Sequence, residues 1–220
     1  MCGRYALNAS SSQVLEHFQL KYEEDIRNTD VRIEKEVFPS KIEEVLVRID
    51  NQNILEKKTW GLSKLVIKGN TLKDSVNVAT IEKLSKYSLW SKALRTHRLL
   101  IPATSYFEWK ELDKFTKEKY EIYNPDNNIF AFAGLNIIYV DSEMKRKECF
   151  VIITTEANEK IKNIHHRQPA IVKQENYNEW LDDNNNEPIK LLNQFASRDM
   201  NYKLIMTKSK KKNEDHPTLF

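Results

Sequence analysis

A chain of 220 residues with 40% hydrophobic and 10% aromatic content can bury one sizeable core, and no shift in composition marks a second domain. A single domain over 1–220 with a basic tail at about 207–220 is expected, and its 30% charged residues balance to only +3, so a polyanion would meet a local patch. Two distant cysteines exclude a disulfide framework or zinc knuckle, four glycines exclude the dinucleotide and Walker-type phosphate loops, and the absence of a spanning apolar run or signal-peptide pattern argues against a membrane partner and for a cytoplasmic protein.

In chain order, Val14, Leu15 and Phe18 share one helical face after a serine cluster that can cap it, predicting a short helix within 10–22. Val45, Val47 and Ile49 alternate, Asn51 to Asn53 turns, and an extended run reaches Trp60: a hairpin. Leu84, Tyr87, Trp90 and Leu94 recur at helical spacing and predict a helix ending near Thr96. The segments 98–109, 119–123, 129–140 and 148–154 are rich in β-branched and aromatic residues and read as strands. Acidic residues early and lysines late in 156–163 suit a helix leading into His165 and His166. Further helices are expected at 174–181 and 189–195, then a last strand at 203–206, and the lysine run 208–212 reads as solvated. The fold class is α+β, dominated by antiparallel strands.

Cys2 stands out by position. A small residue after Met1 permits removal of the initiator, which would leave an N-terminal 1,2-aminothiol. Its α-amine and thiol have reference pKa values of about 8 and about 8.5, so both nucleophiles are available near neutrality. The amine can condense with an aldehyde to an imine, and the thiol can close a thiazolidine ring on it. Taken alone, Cys2 reads as a small apolar residue near a chain end. Glu108 lies within the aromatic run Tyr106-Phe107-Glu108-Trp109, where a desolvated carboxyl would have a raised pKa and serve as general acid or base. An alternating strand could instead point it outward. Trp60 and Trp109 have core readings, Asn77 a cap or turn reading, and the histidine pair a loop reading.

Together these segments carry a resemblance. MCGRYAL at the N-terminus, WGL at 60–62, Asn77, LLIPATSYFEWK at 99–110, FAGL at 132–135, FVIITTEAN from 150 and IHHRQPAIV up to 172 occur in the order of the SRAP family, the SOS response-associated peptidases. The resemblance implies a β-rich SRAP fold, with antiparallel sheets forming a barrel-like core and flanking helices. It also implies a groove for single-stranded DNA and covalent capture of abasic sites, without metal, nucleotide or other cofactor, by a monomer that associates with the nucleoid when DNA is damaged. Carried over by position, Cys2 is the nucleophile, Asn77 positions the reacting group, Glu108 is the acid or base beside the α-amine, and His165 assists opening of the deoxyribose ring. Arg4 and Arg167 would contact phosphate or substrate, and Trp60 would line the groove, with Lys64, Lys68, Lys73 and Lys110 as further candidates for that surface.

The chain departs from the family pattern in three places. The loop Asn77-Val78-Ala79-Thr80-Ile81 lacks an arginine and an acid usual there, Gln168 stands where methionine is common, and Ser105 where glycine is usual. Two other functions fit the same residues. One is a cysteine-type peptidase or amidohydrolase with Cys2 attacking and His165 as base, whose minimal form would remove Met1. The other is a single-strand-binding module without chemistry.

Overall fold

The structure is a computed structural model and describes residues 3–20, 33–67, 69–71, 73–125, 129–192 and 200–209. The chain opens with β1 (Tyr5–Asn8) and α1 (Ser11–His17). Here the serine cluster does cap the helix: the Ser10 hydroxyl accepts the Gln13 N–H at 3.2 Å while the Gln13 side chain accepts the Ser10 N–H at 2.8 Å. This reciprocal box satisfies two donors that the first turn would otherwise leave bare.

β2 (Ile33–Val37) precedes the hairpin of β3 (Ile42–Ile49) and β4 (Gln52–Trp60). Its turn places Asp50 at φ 48° and Asn51 at φ 61°, the left-handed pair that matches strand twist and that short Asx side chains tolerate. The small ribbon β5 (Val66–Ile67) and β6 (Asn70–Thr71) and the short β7 (Val78–Thr80) lead to α2 (Ser88–Thr96). Next come β8 (Arg98–Ala103), β9 (Ser105–Glu111), β10 (Thr116–Tyr123), β11 (Phe130–Val140) and β12 (Arg146–Glu156). β13 (Arg167–Pro169), β14 (Ile171–Val172), α3 (Tyr177–Leu181) and β15 (Asn201–Ser209) complete the described elements.

Strands β12, β4, β3, β8 and β11 pair in that order, and β11 pairs back to β12, so five strands close a barrel. β7 runs parallel to β12, and β13 and β14 extend the barrel at one end. A second sheet, in the order β15-β10-β9-β1-β2, lies alongside. Alternation along the barrel strands divides the apolar residues into two clusters. Val45, Val47, Trp60, Leu99, Ile101, Phe132, Phe150 and Ile152 pack with Tyr5, Tyr106 and Ile122 of the second sheet. The opposite face, with Leu46, Leu100, Ala133, Val151 and Ile153, is covered by Val14 and Phe18 of the α1 region, Ala93 and Leu94 of α2, and Trp180 of α3. The β-rich fold with flanking helices is as expected.

Three local expectations change. The helix expected at 156–163 does not form: Glu156 ends β12 and 159–164 are linked turns, where the Asn158 side chain accepts the N–H groups of Lys160 and Ile161, both at 3.0 Å. An Asx side chain offering this alternative competes with helix propagation. α2 begins at Ser88, after a 3-10 turn at Ile81–Lys83 that buries Leu84 separately. The expected helix at 189–195 appears as a 3-10 turn at Pro188–Leu191, and its remainder from 193 lies outside the described residues, as do positions 210–212 of the lysine run.

Candidate active site

Glu108 occupies the same face of β9 as Tyr106, because alternate residues of a strand share a face. Tyr106 is 1% and Glu108 3% exposed. The strand therefore turns its carboxylate inward. Burial pushes the Glu108 carboxyl up from 4.5 to about 7, against the opposing pull of a hydrogen bond from the Trp109 N–H.

His165 emerges from the turns governed by Asn158 and is held by its neighbour two residues on. The Arg167 N–H lies 3.0 Å from His165 Nδ1, and the Arg167 carbonyl lies 3.1 Å from the same nitrogen. A backbone N–H can only donate, so in the neutral ring Nδ1 accepts and the proton resides on Nε2. In the charged ring Nδ1–H has the carbonyl to donate to. One residue thus offers a partner to both protonation states. Desolvation lowers the His165 pKa below the usual imidazole value, so the ring is neutral at neutral pH. Its Nδ1 lies 4.0 Å from Glu108 Oε1, too far for a hydrogen bond. Environment has moved the carboxyl up and the imidazole down, which is how acid and base roles are assigned at neutral pH.

The N-terminal strand runs beside this pair. Tyr5 pairs with Tyr106, and the Phe107 N–H donates to the Arg4 carbonyl at 3.0 Å, one residue from Glu108. Asn77 is placed from the barrel side: its carbonyl accepts the Trp60 indole N–H at 2.9 Å and the Ile152 N–H at 3.2 Å. Gly61, at φ +96°, permits the close approach, since a Cβ there would lie 3.3 Å from the Asn77 Cβ. β7 and β13, which follow Asn77 and His165, both pair with β12 at Thr154.

The binding residues expected from sequence fare differently. Trp60 is fully buried, its ring parallel to Phe150 within 7°, so it presents no face to a nucleic-acid strand. The expectation that it lines the groove is corrected: it holds the Asn77 carbonyl instead. Arg4 is ion-paired to Glu36 at 3.3 Å and lies over the Phe38 ring, with its side chain 37% exposed. Glu36 also pairs with the buried Lys119. Arg167 is more confined. Its terminal nitrogens fork onto the Glu82 carboxylate at 2.7 and 3.1 Å, and one also donates to the Thr154 carbonyl at 2.7 Å. Among the lysines, Lys64 pairs with Glu143 and Lys68 lies outside the described residues. Glu82, Glu36 and Lys119 escaped the sequence reading, because each meets its arginine or carboxylate partner only through strand pairing across 32 to 85 positions.

Cys2 lies outside the described residues. Cys149 is buried in the core, its thiol pushed up to about 12 by desolvation, which removes it as a nucleophile. Among the described residues no three His, Cys, Asp or Glu side chains gather to hold a metal ion, and no helix is long and apolar enough to cross a membrane.

A five-stranded β-barrel flanked by a second sheet whose buried carboxyl lies 4.0 Å from an imidazole defines the class. The chain belongs to the SOS response associated peptidase (SRAP) family, whose profile matches residues 1–211. Among curated relatives, the abasic site processing protein YoqW of Bacillus subtilis is 33% identical over 188 residues, which cover 86% of this chain and 83% of that protein. The B. subtilis abasic site processing protein YobE is 31% identical, with 86% and 85% covered. A Bacteroides thetaiotaomicron crystal structure superposes with a TM-score of 0.75 at 22% identity, covering 93% of this chain and 92% of that one. A phage-related protein of Bordetella bronchiseptica gives 0.74 at 21% identity, covering 93% and 94%.

Proposed function

We infer that this chain processes abasic sites in DNA, as the names of its curated relatives say of them, by covalent capture of the ring-opened sugar in a single strand through Cys2. The observation that carries the reading is the Glu108–His165 pair at 4.0 Å, a carboxyl with a pKa of about 7 facing a neutral imidazole. It stands beside the strand that delivers the N-terminus. The Arg4 carbonyl accepts the Phe107 N–H next to Glu108, and Cys2 is two residues before Arg4 in sequence.

The chemistry balances with these groups. His165 relays the C1′ hydroxyl proton to the ring oxygen as the bond between C1′ and that oxygen breaks, releasing the aldehyde. Glu108 takes a proton from the α-ammonium of Cys2, the free amine attacks C1′, and the carbinolamine hydroxyl leaves as water with a returned proton, giving an imine. The Cys2 thiolate then adds to the imine carbon and the nitrogen takes up a proton, closing a thiazolidine. The net change is the loss of one water. Asn77 orients the sugar, and Arg4, whose guanidinium is partly exposed, meets phosphate as a charge-assisted contact. The protein acts as a cytoplasmic monomer drawn to the nucleoid by damage.

The test mixes purified protein with a single strand carrying one abasic site, alongside Cys2→Ala. Denaturing electrophoresis and intact-mass measurement should show one species at the mass of demethionylated protein plus DNA minus water, absent from the variant. No such species from a chain that has lost Met1 overturns capture, and turnover of a peptide would then favour hydrolysis.

A further inference from the structure

Arg167 supplies two unrelated things in the structure. Its backbone N–H and carbonyl both lie on His165 Nδ1, at 3.0 and 3.1 Å. Its guanidinium reaches across the end of β12, taking the Thr154 carbonyl and the full fork of Glu82, a residue on the 3-10 turn that follows β7 and Asn77. The strand that carries Arg167 is only three residues long and is entered from turns. Its register at the His165 end, Arg167 against Glu156, is the last pair of its ladder, where pairing is easily lost. A bidentate carboxylate fork is the strongest and most geometrically specific anchor available to a guanidinium. The side chain is only 12% exposed, and its Nε is buried with no hydrogen-bond partner among the described residues. Without Glu82 the guanidinium would be a confined charge with no counterion among the described residues, and it would swing outward, drawing its own backbone with it.

We propose that Glu82 is a positioning residue for His165: by clasping Arg167 it fixes the backbone N–H that holds the imidazole as the Nε2–H tautomer, and it ties the Asn77 and His165 segments together over Thr154. Glu82 touches no reacting atom. It acts through Arg167, and in a loop that lacks the usual arginine it locks the two flanks of the site to each other. The inference rests on the role given to His165 above, but its readout does not require capture to occur.

The experiment records nitrogen-15 imidazole spectra of the free protein at neutral pH for wild type, Glu82→Gln and Glu82→Ala, with His165→Gln assigning the signal. Wild type should show a single Nε2–H tautomer at His165. Both Glu82 variants should show the two ring-nitrogen signals drawn toward each other as the tautomers mix. Capture at saturating DNA should slow about 10- to 100-fold, the scale on which loss of a ring-orienting partner acts. The isosteric Gln variant guards against a folding defect in the Ala variant. Persistence of the wild-type tautomer in both variants overturns the proposal, whatever the capture rate. If that persistence comes with tighter binding of an unmodified strand, Glu82 instead competes with phosphate for Arg167. Should wild type fail to capture while the tautomer still responds to Glu82, the positioning stands and the capture reading falls.

Discussion

At Glu108 burial raises the carboxyl pKa to about 7. Between about pH 4.5 and 7 the folded carboxyl retains a proton that the unfolded chain has released. The folded state thus binds more protons there, and stability falls as pH rises through that window, then levels off above 7. Glu108→Gln removes the titration. Between about pH 4.5 and about pH 7 the urea midpoint of wild type should fall relative to that of the variant, which becomes the more stable of the two above pH 7. Capture by the same variant should fall on the order of 100-fold, the contribution of a positioned proton-transfer group. Equal slopes in the two proteins would mean that Glu108 is not held neutral by its surroundings. The sequence placed this residue among aromatics but left its direction open. Only the register with Tyr106 and the packing of the second sheet turn it inward.

Elements that a strong local pattern defines were legible, and those decided by distant contacts were not. The hairpin of β3 and β4 follows from alternation and an Asx turn, and α1 from its capping box. The turns at 159–164 carry a helix-like charge pattern, yet Asn158 diverts the backbone, its own N–H going to the Gln168 side chain at 2.9 Å. Gln168, which looked like a departure from the family pattern, is therefore a structural partner of the segment that presents His165. Trp60 was misplaced for a related reason: motif position says that it belongs to the site, but only the folded barrel says which end of it is in contact. Arg98 was not singled out at all, though it ties two helix ends. Its guanidinium donates to the carbonyls of Leu94 and Arg95 at the end of α2 and of Trp180 and Asp182 at the end of α3. These carbonyls belong to the set that a helix terminus cannot satisfy internally. Arg98→Met should cost about 3–5 kcal/mol in chemical denaturation, the scale for breaking a buried charged network, with capture by the remaining folded protein unchanged. A loss under about 1 kcal/mol would show that water replaces the guanidinium freely.

At the scale of the molecule, the barrel is packed to the point where one glycine has no room to grow. A Cβ on Gly134 would come within 2.4 Å of the Ile101 Cδ1, 2.5 Å of the Leu99 Cδ1 and 3.0 Å of the Val151 carbonyl. Gly134→Ala should destabilise the protein by about 1–3 kcal/mol, as overpacking does. Because the nearest atom is a removable methyl, adding Ile101→Val should recover part of that loss, a non-additivity that urea titration of the double variant would expose. Strict additivity would place the strain at the Leu99 side chain or the Val151 backbone instead.

The pairing of Tyr5 with Tyr106 also imposes an order in time. On a ribosome the first strand emerges with one of its two sheet neighbours, β9, still about a hundred residues from being made, an interval on the order of ten seconds at ordinary elongation rates. Through that interval β1 lacks β9, and the buried carboxyl of Glu108 has not yet been made. If Cys2 acts as proposed above, Met1 has that interval in which to be removed before β9 is made. The long detour between β1 and β9 acts as a delay built into translation itself.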